Sequence, residues 1–336
     1  MSSLAVKYRP KDWCEVSSQQ SIIKILNRQI ELEKYANVYA FFGPSGCGKT
    51  TIARILANKI NKGVGEPIEI DAASNNGVDN VRAITENAKQ RAIDSEYKIY
   101  IIDEAHQITP AGWAVFLKCI EEPPKYTIFM FCTTDPQKLP QTIVNRCQTF
   151  KITKIKNDDI RNRLMYISNN EPFTLSLEAA DYITRMAEGS MRQAITYLDK
   201  CKDYSDNISV EDVIAVLGDC SYDTFFDLTN ARIDGDIGKI ITIIDNRYNN
   251  GDDLKLFVDK YFEFILSVCK YCIFNDITIT DIPSYYKDKL DYLINIEEPK
   301  LFFNKYLQDV LNIKQAIKGD SNIKNTIEAM LIKRGD

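Results

Sequence analysis

A chain of 336 residues has room for about two or three domains, each burying its own core. Its 45% apolar and 26% charged content excludes a disordered or fibrous chain, and no apolar run approaches the ~20 residues of a membrane span. A net charge of −5 argues against indiscriminate nucleic-acid binding, yet leaves room for a local basic surface.

Ile22, Leu26 and Ile30 recur at helical spacing and predict a first helix. Val38–Phe42 then reads as a buried strand, and Thr51–Ala57 as a helix leaving the loop between them. Ile68–Ile70 reads as a short strand, followed by the turn Ser74-Asn-Asn-Gly77 and a helix carrying Val81, Ile84 and Ala88. Next come a strand at Lys98–Ile102, a helix around Trp113–Ile120, a strand at Thr127–Cys132 and a last short strand at Gln148–Ile152. Near-continuous apolar strands separated by helices predict a parallel sheet covered on both faces, an α/β domain over residues 1–152.

Strand signals fade beyond that point. Ile160/Leu164/Ile167, Leu177/Ala180/Ile183, a helix containing Arg192, and Val213/Val216/Leu217 predict a small helical unit over 153–218, with Gly218 as its stop. Stripes at Ile237/Ile240/Ile241/Ile244 and Leu254/Val258/Tyr261 predict an all-helical third block over 219–336, with a loop near Asn275–Ser284. The nine cysteines are scattered and odd in number, and no signal-peptide core opens the chain, so a reducing cytoplasm is expected. Cys269 and Cys272 form the only C-x-x-C, but they continue the apolar stripe of their helix and read as core, not as a metal site.

Two motifs carry chemistry. Gly43, Pro44, Ser45, Gly46, Cys47, Gly48, Lys49 and Thr50 fit the phosphate-binding pattern G-x-x-x-x-G-K-[ST] without mismatch, between a strand and a helix that Thr51 continues. Glycines let the backbone N–H groups curl inward on phosphates, and the helix dipole faces the anion. Lys49 can reach the β/γ-phosphates, and the Thr50 hydroxyl can ligate Mg²⁺. Asp103 and Glu104 end the strand Ile99–Ile102. Beside such a loop Asp103 can help hold Mg²⁺ while Glu104 polarises an attacking water. Arg146 in Asn145-Arg-Cys147 and Arg192 in Gly189-Ser-Met-Arg192 are of the type that neutralises a transferring phosphoryl group. Residue type and spacing alone favour the plainer reading of each, a surface arginine in a solvated pair.

Those motifs, with Lys7-Tyr-Arg-Pro10, Ile68–Ser74, Tyr100–His106, Leu117–Pro124, Thr133–Pro140 and Ala187–Arg192, resemble the gamma/tau ATPase subunits of bacterial DNA polymerase III clamp loaders or a phage relative of them. The resemblance covers about residues 5–220 closely and the third block more loosely. It implies an AAA+ P-loop ATPase domain, a helical lid and an all-α collar. It further implies that Val6, Tyr8 and Pro10 line the adenine pocket, that Thr134 is sensor 1, and that Arg192 is sensor 2. Arg146 would be an arginine finger that reaches a neighbouring subunit's ATP site. ATP and Mg²⁺ are the implied cofactors. The implied partners are a sliding clamp, further loader subunits in a five-membered ring, and primer-template DNA held without sequence preference, Ser74–Gly77 being a candidate contact.

The sequence departs from the family in three places. Asn145 stands where the family usually has serine, the four-cysteine zinc module is missing after the P-loop helix, and a chain without the tau-type extension is expected. A phage-encoded or minimal loader is the expectation. Other AAA+ classes, a replication-factor-C-like small subunit or a branch-migration helicase motor, remain alternatives, as does a stator that binds partners without hydrolysis.

Overall fold

The computed structural model describes residues 3–217, 222–319 and 322–332. Contacts within the chain gather into two units, residues 1–209 and residues 210–336. The first opens with one helical turn, α1 (Leu4–Lys7), and α2 (Gln20–Glu31). Strand and helix then alternate as β1 (Val38–Phe42), α3 (Lys49–Ile60), β2 (Ile68–Asp71), α4 (Val78–Ala88), β3 (Lys98–Asp103), α5 (Pro110–Glu121), β4 (Thr127–Thr133), α6 (Gln141–Val144) and β5 (Gln148–Lys151). The strands form one parallel sheet in the order β2-β3-β4-β1-β5.

The two-residue period of a strand explains why this sheet is covered twice. Tyr39 and Phe41 of β1, Ile99 and Ile101 of β3, and Ile128 and Met130 of β4 point to one side, against Leu26 of α2 and Ile52, Ile55 and Leu56 of α3. Val38 and Ala40, Tyr100 and Ile102, and Phe129 and Phe131 point to the other, against Val81 of α4 and Trp113, Phe116 and Ile120 of α5. β2 pairs only with β3, and its Ile-Glu-Ile alternation suits an edge. The register that sets Asp71 beside Asp103 and Phe42 beside Thr133 brings the ends of β1, β3 and β4 to one carboxyl edge, where ligands of open α/β sheets bind.

After β5 come α7 (Asn157–Ser168), β6 (Thr174–Leu175), α8 (Leu177–Met186), α9 (Met191–Lys202) and β7 (Asn207–Ile208). Ile160, Leu164 and Ile167 of α7, Ala180 and Ile183 of α8, and Ile195 and Leu198 of α9 are buried. Leu177 lies at the start of α8 and is exposed; Ala179 and Tyr182 extend that buried face instead. β6 and β7 pair in parallel over two residues each, too short to leave a strand signal. Ser176 and Ser190 cap α8 and α9 by accepting from Ala179 N and Gln193 N.

The second unit contains α10 (Val210–Leu217), α11 (Tyr222–Asp234), α12 (Ile237–Asn249), α13 (Leu254–Phe274), α14 (Lys287–Leu293), α15 (Pro299–Ala316) and α16 (Ile323–Ile332). The sequence reading counted α10 with the helices before it, and the expected stop at Gly218 lies outside the described residues. Ile240 and Ile244, Val258, Tyr261 and Ile265, and Phe303 and Val310 share one core. The Tyr261 hydroxyl is satisfied there by Tyr306 at 2.7 Å and Thr229 at 2.8 Å. Cys269 and Cys272 pack against this core, and burial pushes both thiols up to about 11, which keeps them neutral. Among the described residues every cysteine is free, no cluster of three or more His, Cys, Asp or Glu side chains could hold a metal, and no helix is long and apolar enough to cross a membrane.

Candidate active site

The loop between β1 and α3 is built by its glycines. Gly46 (φ +73°) and Gly48 (φ +100°) occupy left-handed backbone that residues with a Cβ rarely adopt. The N-terminus of α3 has no side-chain cap, so its first N–H groups remain donors for an anion. Lys49 is only 6% exposed, and its Nζ donates to the carbonyl oxygens of Gly43 and Pro44, both at 2.9 Å. A buried ammonium held by neutral acceptors is half of a charge pair, a setting that suits an anion such as phosphate.

Opposite the loop, the Thr50 hydroxyl donates to Asp103 Oδ2 at 2.8 Å, and Asp103 Oδ1 accepts from Glu104 N at 3.0 Å. Hydroxyl and carboxylate thus converge at the phosphate end, a hard-oxygen pair that fits Mg²⁺ with phosphates and water as its remaining ligands. Glu104 itself takes left-handed backbone (φ +47°, ψ +42°). Its Oε2 lies 3.4 Å from Thr134 Oγ1 and 3.3 Å from His106 Nδ1, while His106 Nδ1 also meets Thr133 Oγ1 at 3.0 Å. Burial raises the Cys47 thiol despite nearby Lys49, and burial followed by the charge of Asp103 raises Cys132, so neither sulfur is a nucleophile here.

The cleft that these groups share is lined on its phosphate side by Ser45–Thr51, Asp103 and Glu104. Its remaining walls include the apolar or aromatic Tyr8, Pro10, Val16, Ile155, Met191 and Ile195 together with Arg192. The mixture of a polar loop and an apolar pocket suits a triphosphate joined to a flat base. Arg192 sits at the start of α9 with its N–H 3.4 Å from the Gly46 carbonyl oxygen. Val6, expected on the adenine wall, is 60% exposed, and Ala5 lines the cleft in its place. Two residues turn a helix by roughly 200°, so with Leu4 buried, Val6 on this single turn faces out.

Arg146 stands outside the cleft. Its guanidinium donates to the Thr142 carbonyl oxygen at 2.7 Å and to Glu121 Oε1 at 2.8 Å, with its side chain 40% exposed. Asn145 accepts from Gln141 Nε2 at 2.8 Å. The turn Ser74–Gly77 is braced from within, Asp71 accepting from Ala73 N and Asn75 N and the Asn76 carbonyl oxygen accepting from Thr109 N. Sequence reasoning missed Arg54 and Arg163, which also line the cleft. Arg54 falls one helical turn after Thr50, a spacing that could have flagged it. Arg163 carries no such signal.

Residues 67–156 match the family described as DNA polymerase III, delta subunit. The chain is 33% identical to DNA polymerase III subunit gamma/tau of Mycoplasma genitalium, over 82% of this chain and 50% of that protein. It is 32% identical to subunit tau of Escherichia coli (74% and 42%) and 32% identical to subunit gamma of Buchnera aphidicola, over 72% of both chains. The chain belongs to the DNA polymerase III gamma/tau family. It spans about half the length of the first gamma/tau relatives. Among solved structures, the Thermotoga maritima RuvB branch-migration motor overlays with a TM-score of 0.54 over 67% of this chain and 80% of that one. At 19% identity that likeness speaks for the fold, an α/β AAA+ domain, which the parallel sheet of this gamma/tau relative shares.

Proposed function

We propose that this chain is the ATP-driven motor subunit of a sliding-clamp loader that opens a clamp and sets it on primer-template DNA. The observation that carries the reading is the buried Lys49, satisfied only by neutral carbonyls, facing the Thr50–Asp103 pair across one cleft in a gamma/tau family member. Lys49 and the α3 N-terminus would hold the phosphates of ATP, and Thr50 with Asp103 would hold Mg²⁺. Bound Mg²⁺ would neutralise charge on the β- and γ-phosphates. Glu104 would orient and polarise the attacking water, with Thr134 beside it as sensor 1 and Arg192 reading the nucleotide from the lid. Tyr8 and Pro10 would face the base.

Arg146 would complete a neighbouring subunit's site. Its distance from this chain's own cleft and its exposed position favour that role. Residues 153–218 would act as the lid and 219–336 as the collar of a five-membered ring of loader subunits in the cytoplasm. DNA in the channel would be met through its backbone, with affinity falling as salt rises. The stator alternative is disfavoured by the intact Lys49, Thr50, Asp103 and Glu104.

ATP turnover measured with and without primed DNA and the cognate clamp tests the reading. Stimulation by both together is expected and should vanish in Lys49→Ala. Stimulation by four-way junctions alone, with strand unwinding, would instead assign a branch-migration motor.

A further inference from the structure

The Tyr8 end of the cleft's apolar wall is fastened to the helices after β5, whereas the chain just beyond it is fastened to α3, Asp12 pairing with Lys59 and Val16 packing on the α3 side of the sheet. Tyr8 and Pro10 belong to the N-terminal segment, and the polar anchors of its first turn and of Tyr8 come from the helices after β5. The Tyr8 hydroxyl donates to Glu171 Oε1 at 2.7 Å, and Lys7 Nζ makes an ion pair with the same oxygen. Arg163 of α7 donates to the Tyr8 carbonyl oxygen at 2.8 Å, and Asp199 of α9 accepts from Leu4 N at 3.3 Å. Tyr8 also meets Tyr166 of α7 edge to face, with ring centroids 6.3 Å apart.

Glu171 lies in the connection between α7 and β6, yet its side chain is only 12% exposed, a costly place for a carboxylate unless its partners matter. Lys7 and then Tyr8 hold that carboxyl below its ordinary range, while burial, with Glu171 adding to it, pushes the Tyr8 phenol up to about 12. Met191, Arg192 and Ile195 reach the cleft from the same helical region. Tyr8 and these helices therefore share one part of the cleft wall, across from the loop after β1.

We propose that Glu171 is a positioning residue for the nucleoside end of the site: it fastens Tyr8 to the helices after β5, so that the place of the Tyr8 ring against the base is set by that bond and not by the P-loop. The proposal rests on the nucleotide reading above. It separates two parts of one affinity, phosphate binding that depends on Lys49 and base binding that depends on Glu171.

Calorimetric titration of the full chain with ATP and with inorganic tripolyphosphate tests it. Glu171→Gln keeps the volume and removes the charge-assisted bonds, so ATP affinity should fall about tenfold while tripolyphosphate affinity stays unchanged. Tyr8→Phe should lose a similar factor by itself, and the double variant should lose little more, because both changes remove the same bond. Unchanged ATP affinity in both single variants, or equal weakening of both probes, would overturn the tether. Wild type that binds neither probe would overturn the nucleotide reading as well.

Discussion

Thr50 and Asp103 meet at 2.8 Å although 53 residues separate them. One opens the helix after β1 and the other ends β3, and only the parallel order of the sheet brings them together. With the hydroxyl donating, the pair occupies the geometry in which both oxygens can turn to one hard cation. The cation would replace the shared proton as the link between them.

That relationship makes metal dependence the first quantity to measure. Thr50→Ala and Asp103→Asn should each lower Mg²⁺-dependent turnover by about a hundredfold or more, since each removes one inner oxygen from the ion that screens the phosphates. Thr50→Ser should retain most activity because it keeps the hydroxyl. Nucleotide binding in the presence of EDTA should change little in all three. Equal loss with and without metal would show that the pair is needed for folding of the loop and not for the ion.

Arg146 gives a different signature. Arg146→Ala should cut turnover about a thousandfold with nucleotide affinity altered less than threefold, the expected effect of a finger supplied from outside the site. Mixing it with Lys49→Ala should restore activity above that of either variant. The mixture pairs intact cradles with intact fingers. A mixture no better than its components would mean that Arg146 serves only its own chain through Glu121.

The strands, the P-loop and the Asp103-Glu104 pair were legible because each is a local pattern. Tyr39/Phe41 against Val38/Ala40 is a two-residue alternation, and Leu26 or Ile52 repeats at helical spacing, so periodicity reports burial before any tertiary contact is known. The bonds of Tyr8 to Glu171 and of Arg146 to Glu121 were not legible. They join side chains 163 and 25 residues apart, and no local rule states which carboxylate an arginine or phenol will find. Val6 failed for a subtler reason: a single turn of helix has no repeat from which its buried face can be read.

Acid should release the N-terminal segment. Lys7 and Tyr8 depress the Glu171 carboxyl in the folded chain below its ordinary 4.5. The folded state therefore binds this proton less readily than the unfolded chain, so the contribution is complete above about pH 4.5 and is lost as pH falls through the depressed value. Melting curves of wild type and Glu171→Gln should run parallel between about pH 6 and 8 and converge below about pH 4.5. A gap that stays constant to low pH would show that the stabilisation at this position is not ionic.

At Gly46 the loop after β1 lies against the start of α9. A Cβ there would lie 2.0 Å from Ser190 Oγ and 3.2 Å from Arg192 Cβ, on backbone at φ +73°. Gly46→Ala meets two separate penalties. The left-handed backbone costs roughly 1 kcal/mol for alanine, about 2–4 °C in melting temperature for a unit of this size. The steric clash adds to it by pushing the start of α9, and Arg192 with it, off the loop. Ser190→Gly separates the two, since glycine at that cap costs only a few tenths of a kcal/mol. In the Gly46→Ala background it should recover the steric part of the melting temperature and of ATP affinity while the backbone part persists. A double variant no more stable than Gly46→Ala would show that conformation alone, not contact with the start of α9, demands glycine at this position.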